Sequence, residues 1–113
     1  MGTVYNNITP TQEFVTGTSI PKSFELATSS GRFWVHPNAT KHMVENVTRK
    51  GMDPETQNIR SQAILTSFHS AVNKALTKGI EYDKMIYIDG WEFIFTKGRS
   101  GDRLPVIKHA LYK

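Results

Sequence analysis

Residues 84–113, KMIYIDGWEFIFTKGRSGDRLPVIKHALYK, decide the fold. Two runs rich in aromatic and β-branched side chains, Met85–Ile88 and Trp91–Thr96, are separated only by Asp89-Gly90, the dipeptide best suited to a two-residue type I′ turn. Such a turn fixes the register: Ile88 faces Trp91, Tyr87 faces Glu92, Ile86 faces Phe93 and Met85 faces Ile94. One side of this hairpin is then Ile86, Ile88, Trp91, Phe93 and Phe95, a surface to be buried. The other side, Met85, Tyr87, Glu92, Ile94 and Thr96, mixes a carboxylate, a phenol and a hydroxyl with apolar groups and reads as a half-open working surface. A further strand starts at Leu104 and carries Val106 to Leu111. Between them lies Lys97-Gly-Arg99-Ser-Gly-Asp-Arg103. Three basic side chains in a Gly-containing loop, set between a strand bearing Glu92 and one bearing His109, suit the holding and cleavage of a phosphodiester.

Upstream, Asp53-Pro54-Glu55 opens the clearest helix: Asp53 as N-cap, Pro54 at the first helical position and Glu55 near the positive end of the dipole. Its stripe is Ile59, Ala63, Ile64, Phe68, Ala71, Val72 and Ala75, and Gly79 ends it. A shorter helix starts at Pro37 or Asn38, repeats Ala39, Met43 and Val47, and closes on Arg49, Lys50 and Gly51. Before it, Phe24–Thr28 and Arg32–Val35 flank Ser29-Ser30-Gly31, which fits a weaker hairpin or a single strand over Arg32–Val35. Residues 1–20 hold Asn, Thr, Gly and Pro with scattered apolar residues, and read as a linker or loosely ordered arm. The expectation is an α+β fold: two N-terminal helices packed on a C-terminal antiparallel sheet of three or more strands, with residues 21–113 as a single domain.

The 113 residues are enough for one modest core. No cysteine is present, which removes disulfides, thiolate zinc sites and cysteine nucleophiles together. Lys and Arg number 14 against 10 Asp and Glu, a formal charge of +4, which tilts the chain towards an anionic partner such as nucleic acid. No apolar run approaches a membrane span, and MGTVYNNITPTQEF has neither the basic nor the apolar region of a signal peptide.

Each candidate residue has a plain alternative. His109 reads equally as a partly buried strand histidine, because the alternation along Val106–Leu111 does not decide its face. Glu92 needs a reason to stand in mid-strand, or simply points to solvent opposite Tyr87. Arg99 and Arg103 taken singly are ordinary loop residues. His36 and His42 bracket the start of the shorter helix beside Lys41, where cations oppose the dipole and where backbone N–H groups donate to phosphate. His69 falls off the main stripe of the long helix and reads as a surface residue. The four histidines lack the i, i+4 spacing of a zincin and have no clustered acidic partners, so no metal site and no cofactor is expected. A Walker loop, a dinucleotide fingerprint and a Gly-x-Ser-x-Gly elbow are all absent from the sequence.

The segments GRFWVHPNATKHM and GWEFIF, followed by LPVIKHAL, resemble the C-terminal toxin domains of bacterial polymorphic toxins, such as those of contact-dependent growth inhibition and Rhs proteins. The order of helices then sheet is similar to the barnase, colicin D, colicin E-type and RelE group of ribonucleases. The resemblance covers roughly Phe24–Lys113. It implies RNA cleavage without a metal, a cognate immunity protein as partner, and delivery from an exported bacterial protein into a target cell's cytoplasm. The barnase-like order makes Glu92, a loop Arg and His109 the base, phosphate binder and acid. The colicin D arrangement favours Lys41 and His42, with a strand tryptophan such as Trp91. Both templates stay open.

The resulting expectation is a metal-independent ribonuclease toxin acting on RNA, in particular tRNA, by 2′-OH attack. His109 and His42 are the acid and base candidates and Glu92 an alternative base. Lys41, Lys97, Arg99 and Arg103 would hold the phosphate, and Trp91 or Tyr87 would stack on a base. Such a chain would be monomeric apart from its immunity complex. The alternative is a non-catalytic basic module that binds RNA or protein, and a DNase is a weaker third option.

Overall fold

A computed structural model of the protein describes residues 4–29, 31–48, 54–98 and 104–112. Among these, six strands form one sheet: β1 (Ile8–Pro10), β2 (Phe24–Thr28), β3 (Gly31–Val35), β4 (Met85–Ile88), β5 (Trp91–Thr96) and β6 (Val106–Tyr112), in the spatial order β1-β2-β3-β6-β5-β4. Helices α1 (Pro37–Thr48) and α2 (Pro54–Lys78) lie between β3 and β4 in the chain. This corrects the expected arrangement of two N-terminal helices on a C-terminal antiparallel sheet. Three strands precede the helices, and β3 runs parallel to β6, so the domain is α+β with a mixed sheet. The physical reason is that β3 and β6 each lack a second neighbour in local sequence, and pairing them satisfies both edges.

The hairpin β4–β5 has the predicted register, Met85↔Ile94 through Ile88↔Trp91. Asp89 (φ 50°) and Gly90 (φ 87°) both take positive φ, as a type I′ turn requires. Residues 24–35 form the hairpin rather than a single strand, with β2 and β3 antiparallel. Residues 4–20, read from composition as an arm, contribute a 3-10 turn at Val4–Asn7 and strand β1 against β2. Val4, Ile8 and Ile20 are buried there. Asp53, Arg49, Lys50 and Gly51, assigned to helix ends, lie outside the described residues.

Strand register sorts side chains to two faces. Ile8, Leu26 and Phe33 share one, with Phe24, Val35, Ile107, Phe95, Phe93 and Ala110. All are buried. Phe68 of α2 is the central contact, its ring 6.3 Å from Phe24, 5.5 Å from Trp91 and 5.7 Å from Phe93. Burying a side chain of this size removes roughly 2–3 kcal/mol of hydration cost. The α2 stripe differs from expectation at its start: Ile59 is 67 % exposed and Ala63 is exposed too, and Ser61, Ile64, Leu65, Phe68, Ala71, Val72 and Ala75 make the buried row. His69 is tied to the sheet through Nε2 and the Ala27 carbonyl, 2.9 Å apart, rather than standing free on the surface.

Helix α1 packs along β6. Only Trp34 and Val35 of β3 pair with β6, at Val106 and Ile107, and the ladder ends with His36 N–H donating to the Ile107 carbonyl. The chain then turns into α1, which occupies the place beside the second half of β6 that a longer β3 would have taken. Ala39, Met43 and Val47 are buried at their four-residue spacing, and the Thr40 hydroxyl donates to the Lys22 carbonyl.

Candidate active site

Strand β6 carries an irregularity that determines its chemistry. Ile94 pairs with His109 but Phe95 pairs with Ile107, so Lys108 is an extra residue in the strand, a β-bulge. Strict alternation would put His109 on the same side as Ile107. The bulge instead leaves Ile107 and Ala110 together in the core and turns His109 to the opposite face, with Glu92 and Ile94.

There His109 meets side chains from two other elements. Glu92 Oε1, from β5, stands 3.6 Å from His109 Nε2. The His42 ring, from α1, meets the His109 ring edge to face at a centroid distance of 5.5 Å. His42 Nδ1 is in turn 3.3 Å from Glu45 Oε1, one helical turn on. Glu92 is only 7 % exposed. His109 Nε2 is buried and has no hydrogen-bond partner among the described residues. The row Glu92, His109, His42, Glu45 sets two imidazoles between two carboxylates, an order able to hold the rings in place.

His109 also lines a cleft of about 1070 Å³. Its floor is Leu104, Val106, Lys108 and His109; Trp34, His36 and Asn38 stand where β3 passes into α1; Thr96, Lys97 and Gly98 stand at the end of β5. Two ammonium groups thus share the cleft with two imidazoles. Lys97 Nζ lies 5.8 Å from the centre of the Tyr82 ring, and Lys108 Nζ 3.8 Å from Asp83 Oδ1. His36 is the N-cap of α1 by an unusual route: its Nδ1 accepts the Asn38 N–H at 3.0 Å. With that lone pair engaged, the proton of the neutral ring sits on Nε2, which is then a donor.

His109, His42 and Glu92 are therefore brought together, although only His109 of the three lines the cleft. Lys97 lines it too. Lys41 does not; it borders a separate depression with Gln12, Lys22 and Glu45. Tyr87 is 70 % exposed on the edge strand β4, opposite Glu92. Trp91, put forward for base stacking, is 1 % exposed, stacked on Phe93 and hydrogen-bonded through its indole N–H to Ser67 Oγ, so it has no face for a base. Arg99 and Arg103 lie outside the described residues. Sequence reasoning missed Trp34, Asn38 and Lys108, and marked His36 only as a candidate set against the helix dipole. The signal for His36 was its position between a strand and a helix-opening Pro37.

Among the described residues no group of three or more His, Cys, Asp or Glu side chains could hold a metal ion, and no helix is long and apolar enough to cross a membrane. Neither a protein-family model nor a curated protein matches the chain.

Proposed function

We propose that the protein is a metal-independent ribonuclease in which His109 is the catalytic base. The observation that carries this reading is the position of His109 at the cleft, flanked by Glu92 at 3.6 Å and by His42. His109 takes the proton of a ribose 2′-OH. The freed oxygen attacks the adjacent phosphorus, the bond from phosphorus to the 5′-oxygen breaks, and that oxygen takes a proton from the Lys97 ammonium group in the cleft. The products are a 2′,3′-cyclic phosphate and a 5′-hydroxyl. Glu92 and His42 act as positioning residues that hold the imidazole from either side, and His36 Nε2–H and Lys108 stabilise charge on the non-bridging oxygens.

The resemblance to polymorphic toxin domains supports tRNA as the substrate, an immunity protein that covers the cleft, and action in the cytoplasm of a target cell. The test is incubation of the purified protein with total bacterial RNA in EDTA, read on a denaturing gel. Discrete tRNA fragments with cyclic phosphate ends, lost in His109→Ala, are expected. Intact RNA with the unaltered protein, or equal cleavage by His109→Ala, overturns the reading.

A further inference from the structure

The cleft is divided by chemistry along its length. Lys108 and His109 lie at one end of its floor, and Val106 and Leu104 at the other. Trp34 flanks the apolar end, because it is the register partner of Val106 on the same sheet face. It is half-buried, and its orientation is locked twice: the indole N–H donates to Thr11 Oγ1 at 3.1 Å, and the ring packs at 76° against His36 with centroids 5.3 Å apart. Among the described residues that line the cleft, Trp34 is the sole indole or phenyl ring. Trp91 and the core phenylalanines are sequestered under α2, and Tyr87 stands on the edge strand outside the cleft.

A rigid, half-exposed indole beside an apolar floor, with the Lys108 ammonium group and the His109 imidazole at the far end, matches the two halves of a nucleotide. We propose that Trp34 is the platform on which one nucleobase of the RNA stacks, positioning the neighbouring phosphate over Lys108 and His109. The proposal rests on the ribonuclease reading for its reaction, but the binding it describes stands apart from turnover. A base held inside a duplex has both faces occupied by its neighbours, so the platform selects a splayed nucleotide in a single-stranded loop or bulge. The 1070 Å³ of the cleft exceeds what a phosphate alone would fill.

The two tryptophans make the test direct. Trp91 is buried and hydrogen-bonded, whereas Trp34 faces the cleft. Titration with a short single-stranded oligodeoxynucleotide, which lacks the 2′-OH and so cannot be cleaved, should quench indole emission in the unaltered protein and leave it unchanged in Trp34→Phe. Affinity, followed by anisotropy of a labelled oligodeoxynucleotide, should fall about tenfold in Trp34→Leu and much less in Trp34→Phe. The same sequence annealed as a duplex should compete poorly. Should Trp34→Leu fail to fold, the quench in the unaltered protein decides. Absence of quenching, or RNA cleavage by Trp34→Leu at an unchanged KM, overturns the platform and leaves the ribonuclease reading intact. Quenching without RNA cleavage upholds the platform and overturns the ribonuclease reading.

Discussion

Trp91 and Glu92 are neighbours in the chain and lie on opposite sides of one strand. Trp91 stacks on Phe93, touches Phe68 of α2 and donates its indole N–H to Ser67 Oγ. Glu92 is almost as well covered, yet it faces His109. The two sides of the sheet therefore differ less in burial than in what is buried. On the α2 side, packing shape decides which residues are acceptable. On the other side, a carboxylate and an imidazole are enclosed together by side chains from β5, β6 and α1.

Three variants, one of them double, test this contrast. Phe68→Ala removes the ring shared by Phe24, Trp91 and Phe93 and should cost about 3–5 kcal/mol of unfolding free energy in denaturant melts, a large part of a domain's stability. Surviving native protein should retain its cleavage rate per folded molecule. His109→Ala should invert that pattern, lowering the cleavage rate by about 10²- to 10⁴-fold with a melting transition close to that of the parent. A His109→Ala protein that melts early would mean that the two faces are not separable in this way. The smallest effect belongs to the paired Lys97→Ala and Lys108→Ala changes. Each phosphate contact to a single strand contributes about 0.7 to the slope of log affinity against log salt, so the pair should flatten that slope by about 1.4. Lys41→Ala, outside the cleft, should leave it unchanged.

The side under α2 was largely legible in the sequence. Asp89-Gly90 set the hairpin register, and that register identified Trp91, Phe93 and Phe95 as core residues. The long helix followed from its periodicity, apart from Ile59 and Ala63, which are exposed where the buried row runs through Ser61 and Leu65 instead. The other side was legible only in part. Glu92 and His109 could be paired because β5 and β6 are consecutive. The bulge at Lys108 could not be foreseen, since an inserted residue leaves no mark on composition and only defeats the alternation. Trp34 and His36 entered the site through the parallel pairing of β3 with β6, between segments at opposite ends of the chain. The scattered Val4, Ile8 and Ile20 were too few to announce a strand, yet each is buried by its neighbours in space.

That short parallel match also sets an order of events. The hairpins β2–β3 and β4–β5 close over a few residues each, whereas β3 meets β6 only after both helices have been traversed, and loop-closure entropy rises with the length enclosed. Pulse-labelled hydrogen exchange during refolding should therefore find β4–β5 amides protected before those of Trp34 and His36; simultaneous protection would refute this sequence. Since Trp34 and His36 reach the cleft through that last pairing, a chain threaded through a narrow passage in extended form would emerge with its hairpins quick to return and its cleft the final part to be rebuilt.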